Sequence, residues 1–150
     1  QAEGVDPARL VFMPKQPQAA YLARLQLADL FLDNIPVNAH TTASDALWAG
    51  LPVLTILGDT FVGRVAASLL HAVGLPELIA ESPEAYEQMA VDLATDPSRL
   101  AALKARLAAN RPTAPLFDTK RFTRHIEAAY TAMYRRHQAG LAPDHIDVPA

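Results

Sequence analysis

Apolar and polar positions along the chain fall into short continuous apolar runs that alternate with longer stretches of three-and-four spacing. "RLVFMP" (9–14), "LFLD" (30–33), "PVLTIL" (52–57) and the weaker "ELIA" (77–80) are apolar runs bounded by polar or turn residues, the signature of buried strands. Between them, "PQAAYLARLQLAD" (17–29) places Tyr21, Leu22, Leu25 and Ala28 on one helical face, with Pro17 suited to a first turn. A second helix is expected from about Thr42 to Ala49, stopped by Gly50 and followed by Pro52. A third is expected over Phe61–Val73. Ser82-Pro83 opens a helix to about Ala94, and Asp96-Pro97 opens another to about Ala108. After the loop "NRPTAPLFDT", Asp118–Ala139 reads as a long helix with Phe122, Ile126, Ala129, Tyr130 and Met133 on one face.

Strands that are apolar throughout and alternate with helices predict an α/β fold, a Rossmann-like parallel sheet covered on both faces. Trp48 follows the helix spacing and is expected in the core. Residues 1–139 are expected to form one lobe and 140–150 an irregular, Pro-rich tail. The opening "QAEGVDPARL" has no initiator Met. It reads as the tail of one helix, a Gly stop and a Pro-containing turn into a strand, which predicts that part of the sheet lies upstream of this sequence.

Composition narrows the function classes. The chain has 150 residues, 51% of them hydrophobic, enough for one domain with a real core. A net charge of −3 with no polybasic run does not point to nucleic acid as a partner. No apolar run reaches the ~18 residues of a membrane span, so no membrane partner is expected. The absence of cysteine excludes disulfides, thiolate catalysis and zinc-thiolate sites, and is compatible with a reducing compartment; a cytoplasmic location is expected.

In open parallel sheets ligands bind beyond the carboxyl ends of the strands. Three loops leave such ends: "KQPQ", "NIPVNAHTT" and "GDTFVGR". The second runs into a helix through His40, Thr41 and Thr42. A helix start offers free N–H groups and the positive end of a dipole, and the two hydroxyls and the imidazole add donors, so this stretch suits a phosphate or diphosphate. Asp45, about one turn on, suits the paired hydroxyls of a ribose. Ordinary capping by Thr41 or Thr42, with Asp45 compensating the dipole, accounts for the same residues, and the residues alone leave both readings open. In the first loop Gln16, Gln18 and Tyr21 could read and stack a base, although Tyr21 also fits simple packing on the sheet. Lys15 and Arg64 are weaker phosphate candidates. His71, His125, His137 and His145 have no metal-ligand spacing, and there is no GxGxxG, Walker or defensible Ser-His-Asp pattern.

The stretch "QLADLFLDNIPVNAHTTASDALWAGLPVLTILGDTFVGRVAASLL" resembles the C-terminal lobe of the O-GlcNAc transferases, the family that includes the SPINDLY proteins. "PLFDTKRFTRHIEAAYTAMYRR" and the late "APDH" resemble the end of the same lobe. The resemblance runs from about Arg9 to His145, and "HTTxxDxLWAGxPxxT" is its most specific part. It implies part of the C-terminal lobe of a glycosyltransferase-B (GT-B) fold. It further implies an inverting, metal-independent transfer of N-acetylglucosamine from UDP-GlcNAc to Ser or Thr of proteins, with no cofactor. By the same resemblance His40, Thr41 and Thr42 hold the UDP diphosphate and stabilise the leaving group, Asp45 holds the ribose, and the Gln16 backbone contacts uracil. Gln18 and Tyr21 stand where the animal enzymes carry a Lys and a His beside the nucleoside.

The resemblance also implies that the catalytic histidine and further basic residues lie outside this segment. The implied partners are a UDP-sugar donor, a protein or peptide acceptor and the remainder of the same catalytic region. These residues alone are expected to be inactive and at most a weak UDP binder. Two alternatives remain: a GT-B enzyme with another sugar or acceptor, and a catalytically inactive UDP-binding or scaffold relative, which the departures at Gln18 and Tyr21 keep open.

Overall fold

A computed structural model describes residues 4–148; the helix tail expected at residues 1–3 and the last two residues of the chain lie outside them. Three short strands, β1 (Phe31–Leu32), β2 (Val53–Ile56) and β3 (Ile79–Ala80), form a parallel sheet in the order β1-β2-β3. Phe31 pairs with Val53 and Leu32 with Leu54; Thr55 pairs with Ile79 and Ile56 with Ala80. The helices are α1 (Gln18–Leu25), α2 (Thr41–Ala49), α3 (Val65–Ala72), α4 (Pro83–Thr95), α5 (Pro97–Asn110) and α6 (Thr119–Gln138).

With strand order β1-β2-β3, the right-handed sense general to parallel crossovers places α2 and α3 on the same face of the sheet. They touch each other and β2, and α1 packs on α2. All four residues of β2 are buried, so its other face is covered too, by α4, which lies against β2 and β3 and carries α5 behind it. The core between these layers is mostly leucine: Leu47, Leu54, Leu70, Leu75, Leu78, Leu93 and Leu107 are all fully buried. Full burial of a leucine side chain contributes roughly 1.5–3 kcal/mol, and this cluster is what holds the layers in register.

Helix boundaries follow local chemistry. Ser82 Oγ accepts from the Ala85 amide at 3.1 Å with Pro83 in the first turn. Asp96 and Asp118 accept from the amides of Arg99 and Arg121, each at 2.9 Å. Gly50, at φ 87°, ends α2 in the left-handed conformation that a side chain disfavours.

Four expectations are corrected. "RLVFMP" is not a strand: Pro7–Arg9 form a 3-10 turn and residues 10–17 are irregular, because no neighbouring strand among the described residues supplies a ladder; Phe12 is 90% exposed. Phe61–Gly63 is a 3-10 turn separate from α3, closed when Thr60 Oγ1 accepts from the Gly63 amide at 3.2 Å. "ELIA" contributes only Ile79–Ala80 to the sheet, after a 3-10 turn at Pro76–Leu78. Trp48 is 52% exposed, packed edge-on against Phe117 and lying under the guanidinium of Arg111.

Helix α6 buries no residue fully and leaves Phe122, Tyr130 and Met133 exposed. It meets the fold through the 3-10 turn Pro115–Phe117. Residues 141–148 are irregular, with Asp144 paired to Arg136 at 3.1 Å. Among the described residues, no helix is long and apolar enough to cross a membrane.

Candidate functional site

The loop leaving β1 is built around Asp33, the last polar residue of "LFLD". It is 6% exposed. Its Oδ1 accepts from the amides of Asn34 (2.8 Å) and Ala39 (2.6 Å), and its Oδ2 accepts from the Thr55 hydroxyl at 2.6 Å. The Asp33 carbonyl accepts from the Tyr86 hydroxyl at 2.9 Å. The Asn38 amide donates to the Val62 carbonyl at 3.0 Å, which ties this loop to the loop leaving β2. The buried Asn38 Oδ1 has no partner among the described residues.

That frame delivers His40, Thr41 and Thr42 to the start of α2, at the carboxyl end of the sheet, with all three side chains exposed. Capping by a threonine, one of the two sequence readings, does not occur: His40 occupies the cap position and no side chain caps the helix. The first bonded amide of the turn is that of Ser44, which donates to the His40 carbonyl at 3.0 Å. Among the described residues, the amides of Thr41, Thr42 and Ala43 have no protein acceptor. Unpaired amides at the positive end of a helix, flanked by two hydroxyls and an imidazole, can take up an anion without a full protein charge. Phe61, exposed on the loop after β2, presents its ring to His40.

The other sequence candidates are placed as follows. Tyr21, on α1, and Asp45, on α2, are both half-buried and electrically coupled. Burial, then the negative charge of Asp45, push the Tyr21 hydroxyl above its ordinary pKa, and Arg24 opposes them. Arg24 lies over the Tyr21 ring at 5.9 Å and donates to the Pro14 carbonyl at 3.1 Å, which tethers the "KQPQ" segment to α1. Gln16 is exposed on that irregular segment and Gln18 is the exposed first residue of α1; neither makes a side-chain hydrogen bond within the described residues. Lys15 is exposed in the same segment. Arg64 turns back to the Gly58 carbonyl at 3.3 Å. A hollow of about 400 Å³ lies at the opposite end of β1, beside Asp29 and Lys104, and does not belong to this site.

Asp33, Thr55, Tyr86 and Phe61 are not among the candidates that the sequence singles out, although Thr55 closes the "HTTxxDxLWAGxPxxT" motif. Two signals were present: an acidic residue closing an apolar run, and a hydroxyl inside "PVLTIL". Tyr86 gave none, because its partner is 53 residues away.

Comparison with known proteins gives this geometry a lineage. Residues 1–126 match the model of glycosyl transferase family 41. The chain is 40% identical over 148 residues to the probable UDP-N-acetylglucosamine--peptide N-acetylglucosaminyltransferase SEC of Arabidopsis thaliana, covering 98% of this chain and 15% of that protein. It is 38% identical over 143 residues to the UDP-N-acetylglucosamine--peptide N-acetylglucosaminyltransferase of Caenorhabditis elegans, covering 95% of this chain and 12% of that one. Among solved structures, a variant O-GlcNAc transferase from Thermobaculum terrenum superposes with a TM-score of 0.84 and 35% identity, over 89% of this chain and 26% of that chain. The chain thus spans 12–15% of the length of these two curated relatives. With the parallel sheet, its flanking helices and these matches together, the chain belongs to glycosyl transferase family 41 and its fold is part of the C-terminal lobe of a GT-B glycosyltransferase.

Proposed function

We propose that this chain is the donor-binding part of a transferase that moves N-acetylglucosamine from UDP-GlcNAc to Ser or Thr of protein acceptors, with inversion and without a metal. The observation that carries the proposal is the start of α2: amides of Thr41, Thr42 and Ala43 without protein acceptors, beside the exposed His40, Thr41 and Thr42 side chains. The names of the relatives, UDP-N-acetylglucosamine--peptide N-acetylglucosaminyltransferases, supply the donor and the acceptor class.

The chemistry follows from charge. Cleaving the glycosidic bond leaves negative charge on the diphosphate, and donors already aimed at that group stabilise it more in the transition state than in the ground state. His40, Thr41 and Thr42 take that role; in this proposal no metal is required. Asp45 holds the ribose, Tyr21 stacks beside the nucleoside, and Gln16 and Gln18 flank the base. No side chain of this segment acts as the acceptor-side base, which the remainder of the catalytic region supplies. The open apolar face of α6 packs against that remainder. Neither nucleic acid nor a membrane takes part, and the expected setting is the cytoplasm.

The test is UDP affinity in the full-length protein, by calorimetry. His40→Ala or Thr41→Ala is expected to weaken binding about tenfold or more, the loss of a charge-assisted donor (~1.5–3 kcal/mol). Wild-type affinity in both variants overturns the site. Incubation with labelled UDP-GlcNAc and candidate acceptors then separates enzyme from inactive relative: label reaching neither protein nor free sugar favours the latter.

A further inference from the structure

The floor beneath the α2 start holds a buried carboxylate that donor binding does not itself use. A carboxylate removed from water is tolerated only where its oxygens are hydrogen-bonded, and both oxygens of Asp33 are. The donors come from separate elements: two amides of the 34–40 loop and the hydroxyl of Thr55 in the middle of β2. Tyr86, from α4, grips the same residue by its carbonyl. Thr55 is fully buried and closes the "HTTxxDxLWAGxPxxT" pattern, 15 residues after His40.

The bond to Ala39 reaches the chemistry. Ala39 immediately precedes His40, so the carboxylate fixes the point from which the chain swings into α2. His40 itself sits at φ −102°, ψ −90°, outside helical and strand geometry, and its side chain makes no capping bond. We infer that Asp33, braced by Thr55 and Tyr86, is a positioning residue: through Ala39 it sets where the His40–Thr42 donors stand, and so governs stabilisation of the leaving diphosphate more than affinity for the donor. This rests on the function proposed above. Donors displaced by a fraction of an ångström still bind a flexible ground state, but lose their match to the charge that develops as the bond breaks.

Thr55→Val in the full-length protein removes the hydroxyl without adding bulk, and Thr55→Ser keeps it. With UDP-GlcNAc and a peptide acceptor, Thr55→Val is expected to lower kcat about tenfold or more while KM for UDP-GlcNAc moves less than about twofold; Thr55→Ser restores kcat to within about twofold of wild type. A lowered Tm with unchanged kcat overturns the inference, because that is what a merely structural bond would give. So does a loss that falls on KM alone. Should Thr55→Val not fold, Tyr86→Phe loosens the same residue from α4 and is expected to lower kcat in the same sense; unchanged kcat there also overturns the inference. His40→Ala and Thr41→Ala serve as the references: wild-type UDP affinity and turnover in both overturn the functional proposal itself, whereas damage in either beside an intact Thr55→Val overturns only the role of Asp33.

Discussion

Phe61 stands edge-on to His40, with ring centroids 6.3 Å apart and planes at 88°. The two residues lie on different loops, one leaving β1 and one leaving β2, and Phe61 is otherwise 81% exposed. An exposed phenyl ring whose neighbour is a donor of the site restricts the rotamers of that donor. Edge-to-face pairs contribute about 0.5–1.5 kcal/mol. Phe61→Ala is therefore expected to weaken UDP binding roughly two- to tenfold in calorimetry, and Phe61→Tyr to leave it near wild type. Because Phe61 buries little beyond this pair, thermal stability should fall by no more than about 0.5–1.5 kcal/mol. Wild-type affinity in Phe61→Ala would show that the ring does not orient His40.

Gly63 holds the two loops at their spacing. A Cβ built there meets the Pro36 carbonyl oxygen at 3.1 Å and the Gly58 Cα at 3.3 Å, both backbone atoms with little freedom to withdraw. The close approach also carries the bond from the Gly58 amide to the Gly63 carbonyl at 2.8 Å. Gly63→Ala is expected to destabilise the fold by ~1–3 kcal/mol, as overpacking does, read from the urea midpoint. It should also reduce UDP affinity, since the loop pushed aside is the one that bears His40. An unaltered midpoint would mean the loops part without cost.

Much of this architecture is legible from local pattern. Ser82-Pro83, Asp96-Pro97 and Asp118 announced their helices because a cap acts within three residues of itself. The exposed donors at His40–Thr42 were legible for the same reason: a helix start is a local object. Residues 9–14 misled because an apolar run states only that a strand could form there, while pairing depends on a neighbour. Trp48 misled because Ala43, Ala46 and Leu47 already fill the buried stripe of α2, and residue 48 is turned about 100° from residue 47. The brace on Asp33 shows in the sequence only as an acid closing one apolar run and a hydroxyl inside another; the bonds that join them to each other and to Tyr86 span 22 and 53 positions, beyond any local pattern.

Trp48 still has work at the far end of α2. The Arg111 guanidinium lies 5.7 Å from the Trp48 ring centroid, and its Nη1 donates to the Trp48 carbonyl at 2.6 Å. Trp48→Ala removes the ring contact and spares the carbonyl bond; Arg111→Ala removes both. A double-mutant cycle isolates the ring–guanidinium coupling, expected at ~0.5–1 kcal/mol for a half-exposed pair. Arg111→Lys should recover little of it, because an ammonium lacks the planar fork. A coupling near zero would leave Phe117, whose ring centroid is 5.2 Å from that of Trp48, as the principal partner of the indole.

Tyr86 predicts how stability responds to alkali. Burial first, and then the negative charge of Asp33, raise its hydroxyl above the ordinary pKa of 10.0. The native state therefore holds this proton more tightly than the unfolded chain does. Below pH 10 both states are protonated and the contribution is fully present. As the pH rises past 10 the unfolded chain ionises first, and the contribution is lost progressively as the pH climbs through the native value. The bond from the hydroxyl to the Asp33 carbonyl, which requires the proton, disappears over the same window. Tyr86→Phe has no such proton. At neutral pH it should be less stable than wild type by about 0.5–1.5 kcal/mol, one hydrogen bond. Above pH 10 its stability should fall less steeply, so that the two urea-midpoint curves converge. Tyr21, also raised, titrates in both proteins and cancels from the difference. Curves that stay parallel through the alkaline range would mean the Tyr86 proton is not linked to folding.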